Sequence, residues 1–236
     1  MRLFNLAGVP KAVSESSAKS LPIQCSEADG DDPAELLIME EIGEDWWGDG
    51  LSAADVVSFV KGLGKKDPIN VRINSPGGFV YDGMVMYNAL ASHQGHVTTI
   101  VEGLAFSMAS VITMAGDTVK MFKASDFGIH RAWGVSVGNQ KDMRAAADWM
   151  ATIDQHLVEI YEDKSGKSQQ QISDWMDGES DGTLFSATES LDHGFADEVV
   201  DPKGGKAKDS IRSTLRNSVR NSPRLQAARR NMAMRR

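Results

Sequence analysis

Scarcity is informative in this chain of 236 residues. It has one cysteine, Cys25, so an intrachain disulfide and a cysteine-rich metal site are both excluded, and a reducing compartment fits. The N-terminal "MRLFNLAGVPKAVSESS" lacks the apolar run of a secretory signal, and a cytoplasmic location is expected. Only one run, residues 97–116, approaches the length of a membrane span with Glu102 as its sole charge. Its Gly, Ser, Thr and Ala content reads instead as a buried strand followed by a buried helix, and no membrane contact is expected.

What is present is an ordinary soluble composition, 41% hydrophobic and 25% charged, at a length that suits one domain with appendages. The net charge of −8 conceals an asymmetry. From Lys203 onward there are eleven Lys or Arg against Asp209 alone, about +10, and the remainder carries 14 basic and 32 acidic residues, −18. In that tail Arg212, Arg216, Arg220 and Arg224 recur every fourth residue beside Ile211, Leu215 and Val219. The period describes a basic amphipathic helix up to about Pro223, frayed by like charges at i,i+4. A solvated tail, docking on an acidic protein surface and salt-sensitive contact with nucleic acid stay open as its roles. Elsewhere nucleic-acid binding is not expected.

Three segments are expected: irregular residues 1–33, a folded body over 34–201, and the basic tail over 202–236. Within the body, "AELLIMEEIG" reads as a strand and "AADVVSFVKGL" as a helix capped by Ser52 with Asp55 and stopped near Gly64. "INVRINS" is a strand ending at "PGG", followed by a helix through "GMVMYNALASH", then the strand "HVTTIVEG". Ser107 begins or just precedes the helix "MASVITMAG". A pair of short strands, "TVKMF" and "DFGIHRA", leads to a long helix from about Gln140 to Lys164 and a shorter one at "SQQQISDWM". A box formed by Ser186 and Glu189 caps "ATESLDH", Gly194 ends it, and "ADEVVD" closes the body as a strand. Strand and helix alternate, so the fold class is α/β with a largely parallel sheet. "SGKS" at 165–168 resembles the end of a phosphate loop, but Tyr161 stands where that loop requires glycine.

The stretch "VEGLAFSMAS" sets a hydroxyl, Ser107, inside an apolar run among small residues. A buried hydroxyl must be satisfied or used. Acyl transfer needs a serine, a base within reach, an acid to orient the base, and main-chain N–H groups for the oxyanion. Ser107 at a helix start, with the Gly77–Gly78 pair at a strand end, supplies the nucleophile and the free amides. The residues alone do not select a base among His93, His96, His130, His156 and His193.

"INSPGGFVYDGMVMYNAL", "GLAFSMASVITMAGD", "GIHRAW" and "LFSATESLDHGFADEVVD" together resemble, in order, the proteolytic subunit of the Clp protease family, over about residues 34–201. The likeness is greatest to phage and prophage relatives that act in head maturation. The resemblance implies a crotonase-like stack of βαβ units with a protruding helical element. It implies rings, heptameric or tetradecameric, that enclose a chamber and take polypeptide substrates, including scaffold or coat proteins. Any ATP-driven unfoldase would be a separate partner, and no cofactor or metal is implied. Ser107 matches the nucleophile, His130 the base, and the Met108 and Gly78 amides the oxyanion hole, with Gly77 a further possibility. The family's acid falls at Gly182, so the third triad member is expected at Asp181, with Glu179 as second choice and Asp177 close behind. Ala109 stands where the family has glycine, and the basic tail has no counterpart in the housekeeping enzyme. Two rival readings are a ring-forming capsid-assembly protein with a vestigial site and a crotonase-type acyl-CoA hydratase or isomerase. Trp46, Trp47, Trp133 and Trp149 are candidates for interfaces or for the core.

Overall fold

A computed structural model describes residues 25–26, 33–43, 50–178 and 182–201. The basic tail, Trp46, Trp47, Glu179 and Asp181 lie outside these described residues. The sheet is laid down by strands β1 (Cys25–Ser26), β2 (Ala34–Ile38), β3 (Ile69–Ser75), β4 (Val97–Phe106), β5 (Thr118–Phe122), β6 (Asp126–Ile129), β7 (Thr183–Ser186) and β8 (Glu198–Val200). Its order is β1-β2-β3-β4-β5-β8, with β6 branching from β4 and β7 from β6. Every pairing is parallel except β1 with β2 and β6 with β7. The expected parallel α/β architecture is what forms.

Alternation explains the layering. In β2 and β3 every second residue is buried, with Leu36, Ile38, Val71 and Ile73 inside. The other face of those strands carries a polar network: Arg72 bonds Glu35 at 2.7 Å and Glu102 at 2.5 Å, and Asn70 also bonds Glu35. The apolar face is covered by α1 (Ala53–Gly62), α2 (Val80–Ala91) and α3 (Met108–Thr113), which bring Val56, Val60, Met86, Leu90 and Ile112 to one core. Ser52 caps α1 through the Ala54 N–H, as expected. The long α4 (Gln140–Ser165) opens on a reciprocal Asn139–Asp142 capping box, and its buried residues begin only at Ile153. Its first half therefore stands off the core, matching the protruding helix. The "SGKS" stretch is helix punctuation: Gly166 ends α4 at φ 68°, and Ser168 caps α5 (Gln169–Asp177). Ser186 and Glu189 cap α6 (Ala187–His193), and Gly194 closes it.

Several expectations are corrected. The strand expected over "AELLIMEEIG" stops at Ile38, and α2 starts at Val80, earlier than expected. Cys25–Ser26, expected to be irregular, forms the edge strand β1, and "TLFS" forms β7, an element not anticipated. β5 and β6 do not pair with each other. Both lie parallel beside β4, β5 along its first half and β6 along Leu104–Phe106. The cause is a bulge: Ile73 faces Val101 but Ser75 faces Ala105, so β4 carries two extra residues around Gly103, with Asn74 Oδ1 accepting from the Leu104 N–H. The strand expected over "DFGIHRA" ends at Ile129, because the Ala132 N–H is taken by Asp154 Oδ1 on α4 at 2.8 Å. The 97–116 run is β4 plus α3, and no helix among the described residues is long and apolar enough to cross a membrane.

Candidate active site

Ser107 sits between the last residue of β4 and the first of α3 at φ 57°, ψ −129°. It is the only non-glycine residue with positive φ among those described. Such a conformation is rare and must be imposed by its surroundings. The Ser107 N–H donates to the Gly128 carbonyl of β6 at 3.0 Å, and the Ser107 carbonyl accepts from the Ser110 N–H at 2.9 Å. Gly77 backs directly onto the turn: a Cβ there would come 2.6 Å from Ser107 Cβ and 2.9 Å from Met108 N. No other residue type fits so close.

His130 lies one residue past β6, 7% exposed, with Nε2 at 2.7 Å from Ser107 Oγ. Its ring stacks on Phe106, centroids 4.9 Å apart and planes within 8°. The Phe106 ring in turn occupies the space a side chain at Gly128 would need. The parallel β4–β6 pairing thus brings the hydroxyl and the imidazole together from positions 23 residues apart. The other four histidines are elsewhere. His93 bonds the Asp67 carbonyl, His96 meets Thr118, His193 packs on Trp175, and His156 is exposed on α4.

The main-chain donors are sorted by their bonds. Met108 is the first residue of α3, where an N–H has no helical acceptor behind it. The Gly77 N–H already donates to Ser75 Oγ at 3.2 Å, and that hydroxyl bonds the Glu40 carbonyl at 2.5 Å. Gly78, at φ 155°, is pressed against the Ile42 backbone and bridges to it. The geometry favours the Gly78 amide over that of Gly77.

The third member is approached from both sides. β7 pairs antiparallel with β6, setting Thr183 opposite Ile129, and Gly182 packs against the backbone and side chain of His130, its missing Cβ 2.5 Å from His130 Cβ. No side chain fits at position 182, where the resemblance sets the family's acid. On the other side Asp177, at the end of α5, is held by Arg131 through two bonds, one from Nη2 at 2.9 Å and a shorter one from Nε. Arg131 also reaches Asp154 at 3.4 Å. The guanidinium holds the Asp177 carboxyl below its ordinary pKa, and the same bond raises that of Arg131. Asp177 thus serves as an ion-pair partner of Arg131, and Glu179 and Asp181 lie outside the described residues. Trp133 and Trp149, weighed as interface residues, are 76% and 49% exposed, with Trp149 bonding the Tyr81 hydroxyl.

Sequence reasoning missed the residues that frame this pair: Phe106, Gly128, Asp154, Ser110 and Tyr161. Only Gly128 left a trace, as a glycine inside a strand pattern.

The end of a parallel strand thus delivers a serine of positive φ to a histidine, at the head of a helix and beside a glycine pair. The Clp protease family model matches residues 50–203, and the chain belongs to that family. It is 30% identical over 155 residues to the ATP-dependent Clp protease proteolytic subunit 1 of Salinibacter ruber, covering 65% of each chain. It is 34% identical over 134 residues to the ATP-dependent Clp protease proteolytic subunit of Bacteroides fragilis, covering 56% of this chain and 63% of that one. The chain thus spans just under two thirds of the length of these relatives.

Proposed function

We propose that the chain is a serine endopeptidase that cleaves polypeptides through an acyl-enzyme. The observation that carries this reading is the 2.7 Å contact between Ser107 Oγ and His130 Nε2 at the head of α3. In the first step Ser107 Oγ attacks the scissile carbonyl carbon and its proton passes to His130 Nε2. The carbonyl oxygen becomes an oxyanion held by the Met108 and Gly78 amides. The C–N bond then breaks and the leaving amine takes the proton from His130. Water repeats the sequence on the ester, giving its proton to His130 and releasing the acid and free Ser107. This role requires the His130 proton at rest on Nδ1, where Asp181, or Glu179 in second place, would orient the ring. Aromatic stacking on Phe106 and near-complete burial hold the imidazole in one plane.

The proposal extends to assembly. Family membership and the exposed Phe79, Tyr81, Val85, Trp133, Val135 and Val137 support self-association into rings. The names of the relatives, both ATP-dependent, support a separate ATP-driven unfoldase as partner. The finer reading, head maturation with scaffold or coat proteins as substrates, rests on the four sequence blocks and the basic tail. The test of the core claim pairs wild type with Ser107→Ala, each given an unfolded polypeptide and a fluorophosphonate probe. Labelling confined to wild type and mapped to Ser107 is expected, together with loss of cleavage in the variant. Equal labelling or equal cleavage would remove Ser107 from the role.

A further inference from the structure

Two buried hydroxyls behind the nucleophile have no part in the proton transfers above. Ser110, fully buried on α3, places Oγ 2.5 Å from the Ser107 carbonyl oxygen and 2.7 Å from the hydroxyl of Tyr161, itself 1% exposed on α4. The proton order follows from chemistry. A carbonyl oxygen has no hydrogen, so Ser110 must donate its single O–H to Ser107, which leaves its lone pairs to accept from Tyr161. The phenol is fixed as a neutral donor, because burial pushes its pKa well above the ordinary value. Phe127 and Phe195 pack edge-on against its ring. The chain of donors runs Tyr161 O–H to Ser110 Oγ–H to the Ser107 carbonyl, across 51 residues of sequence.

That carbonyl belongs to the same peptide unit as the Met108 N–H. In a trans peptide the C=O and N–H point in opposite directions within one plane, and no cis peptide is present among the described residues. Whatever fixes the Ser107 carbonyl fixes the aim of the Met108 N–H. Pulling electron density toward the oxygen also makes the N–H a stronger donor, because linked hydrogen bonds polarise one another. The Ser110 and Val111 N–H groups already reach this oxygen, at 2.9 and 3.4 Å, so a hydroxyl in addition is not needed to satisfy it.

We propose that Ser110 and Tyr161 are positioning residues that aim and polarise the Met108 amide toward the developing oxyanion. The inference rests on the serine endopeptidase reading and deepens it. It separates this chain's oxyanion site into a loop donor at Gly78 and a donor tuned from the core at Met108.

The experiment measures fluorophosphonate labelling of full-length wild type, Tyr161→Phe, Ser110→Ala and the double variant. Inhibition by a hydrophobic tripeptide aldehyde, whose adduct with Ser107 carries the oxyanion, is compared with that by the matching tripeptide alcohol. Complete loss of an oxyanion donor costs about 10²–10³ in rate. Misaiming it is expected to cost about tenfold in Ser110→Ala and about threefold in Tyr161→Phe. Aldehyde affinity should fall in step, with alcohol affinity and the pH midpoint of the His130 limb unchanged. The double variant should match Ser110→Ala, because the two hydroxyls act in series. Wild-type labelling rates in folded variants, or losses shared equally by aldehyde and alcohol, would overturn the proposal while leaving the peptidase reading intact. If Ser110→Ala does not fold, Tyr161→Phe decides alone. Wild type that never labels overturns both.

Discussion

Gly128→Ala should separate stability from catalysis. A methyl at this position would lie 2.8 Å from Phe106 Cε2, closer still to Cδ2, and 2.9 Å from Leu184 Cδ1. Ordinary carbon contacts need about 3.5–4.0 Å, so something must move by roughly 1 Å. The backbone is held: β6 is paired on both sides, by β4 and by β7, and the Gly128 carbonyl also accepts from the Ser107 N–H. The ring of Phe106 is the softer neighbour, and its displacement withdraws the surface on which His130 is stacked.

Overpacking costs about 1–3 kcal/mol, and the disturbed ring pair adds about 0.5–1.5 kcal/mol. Against this, alanine in place of glycine restrains the unfolded chain and returns about 0.4–1 kcal/mol. The net, about 0.5–4 kcal/mol, falls below the roughly 5–15 kcal/mol typical of a folded domain. A base displaced by about 1 Å costs up to 10²-fold in rate. Fluorophosphonate labelling should therefore slow by about 10–100-fold in a protein that still melts cooperatively. Adding Phe106→Ala removes the closest clash and leaves only the end of the Leu184 side chain to shift, so the double variant should be more stable than the sum of its parts predicts. Undiminished labelling by Gly128→Ala, or strict additivity in the cycle, would refute the claim that Phe106 holds the imidazole.

Asp154→Asn should keep near-normal labelling because an amide oxygen still accepts the Ala132 N–H, whereas Asp154→Ala, which orphans that N–H beside the base, should slow labelling by about tenfold and lower the melting temperature. The Asp177 carboxyl has a depressed folded-state pKa through its Arg131 bond, so its contribution is present above the unfolded pKa and is lost as pH falls through the folded one. Acid melts of Asp177→Asn should accordingly show a shallower loss of stability below about pH 4 than wild type, and an identical acid limb would refute the pairing. Ser107→Gly should melt above Ser107→Ala, because glycine releases strain of about 1–3 kcal/mol at φ 57° and forfeits about 1 kcal/mol to unfolded-chain entropy. Equal melting temperatures would show that the turn is not strained.

Much of this molecule is legible within single elements. Caps at Ser52 and Ser186, the αL stop at Gly194 and the alternation in "INVRINS" each depend on neighbours a few residues away, and each forms as local chemistry dictates. Ser107 was legible for the same reason, as a hydroxyl out of place in its own segment. The choice of His130 was not. Among five histidines nothing local distinguishes it, and only resemblance to a family selected it. The distinguishing fact is the pairing of Phe106 with Gly128, which depends on the two-residue bulge in β4. Bulges arise from cross-strand contacts such as Asn74 with Leu104, and no window on one strand contains them.

The two flanks of the site share a physical form. At Gly182, where the resemblance sets the family's acid, there is no room for a side chain, and the backbone closes on His130. On the other flank the Ser110 hydroxyl lies behind the Ser107 turn and finds a partner in Tyr161, a residue that a helix facing only apolar neighbours would have no reason to bury. Both features lie beside the Ser107–His130 contact and bear on the groups that aim it. The restraint on the base here comes from Phe106 and from the Asp154 bond to Ala132, and that on the amide comes from α4. Interdependence between α4 and the active turn is the mechanical consequence: a change that moves α4 must be felt at Met108 and at Ala132 together.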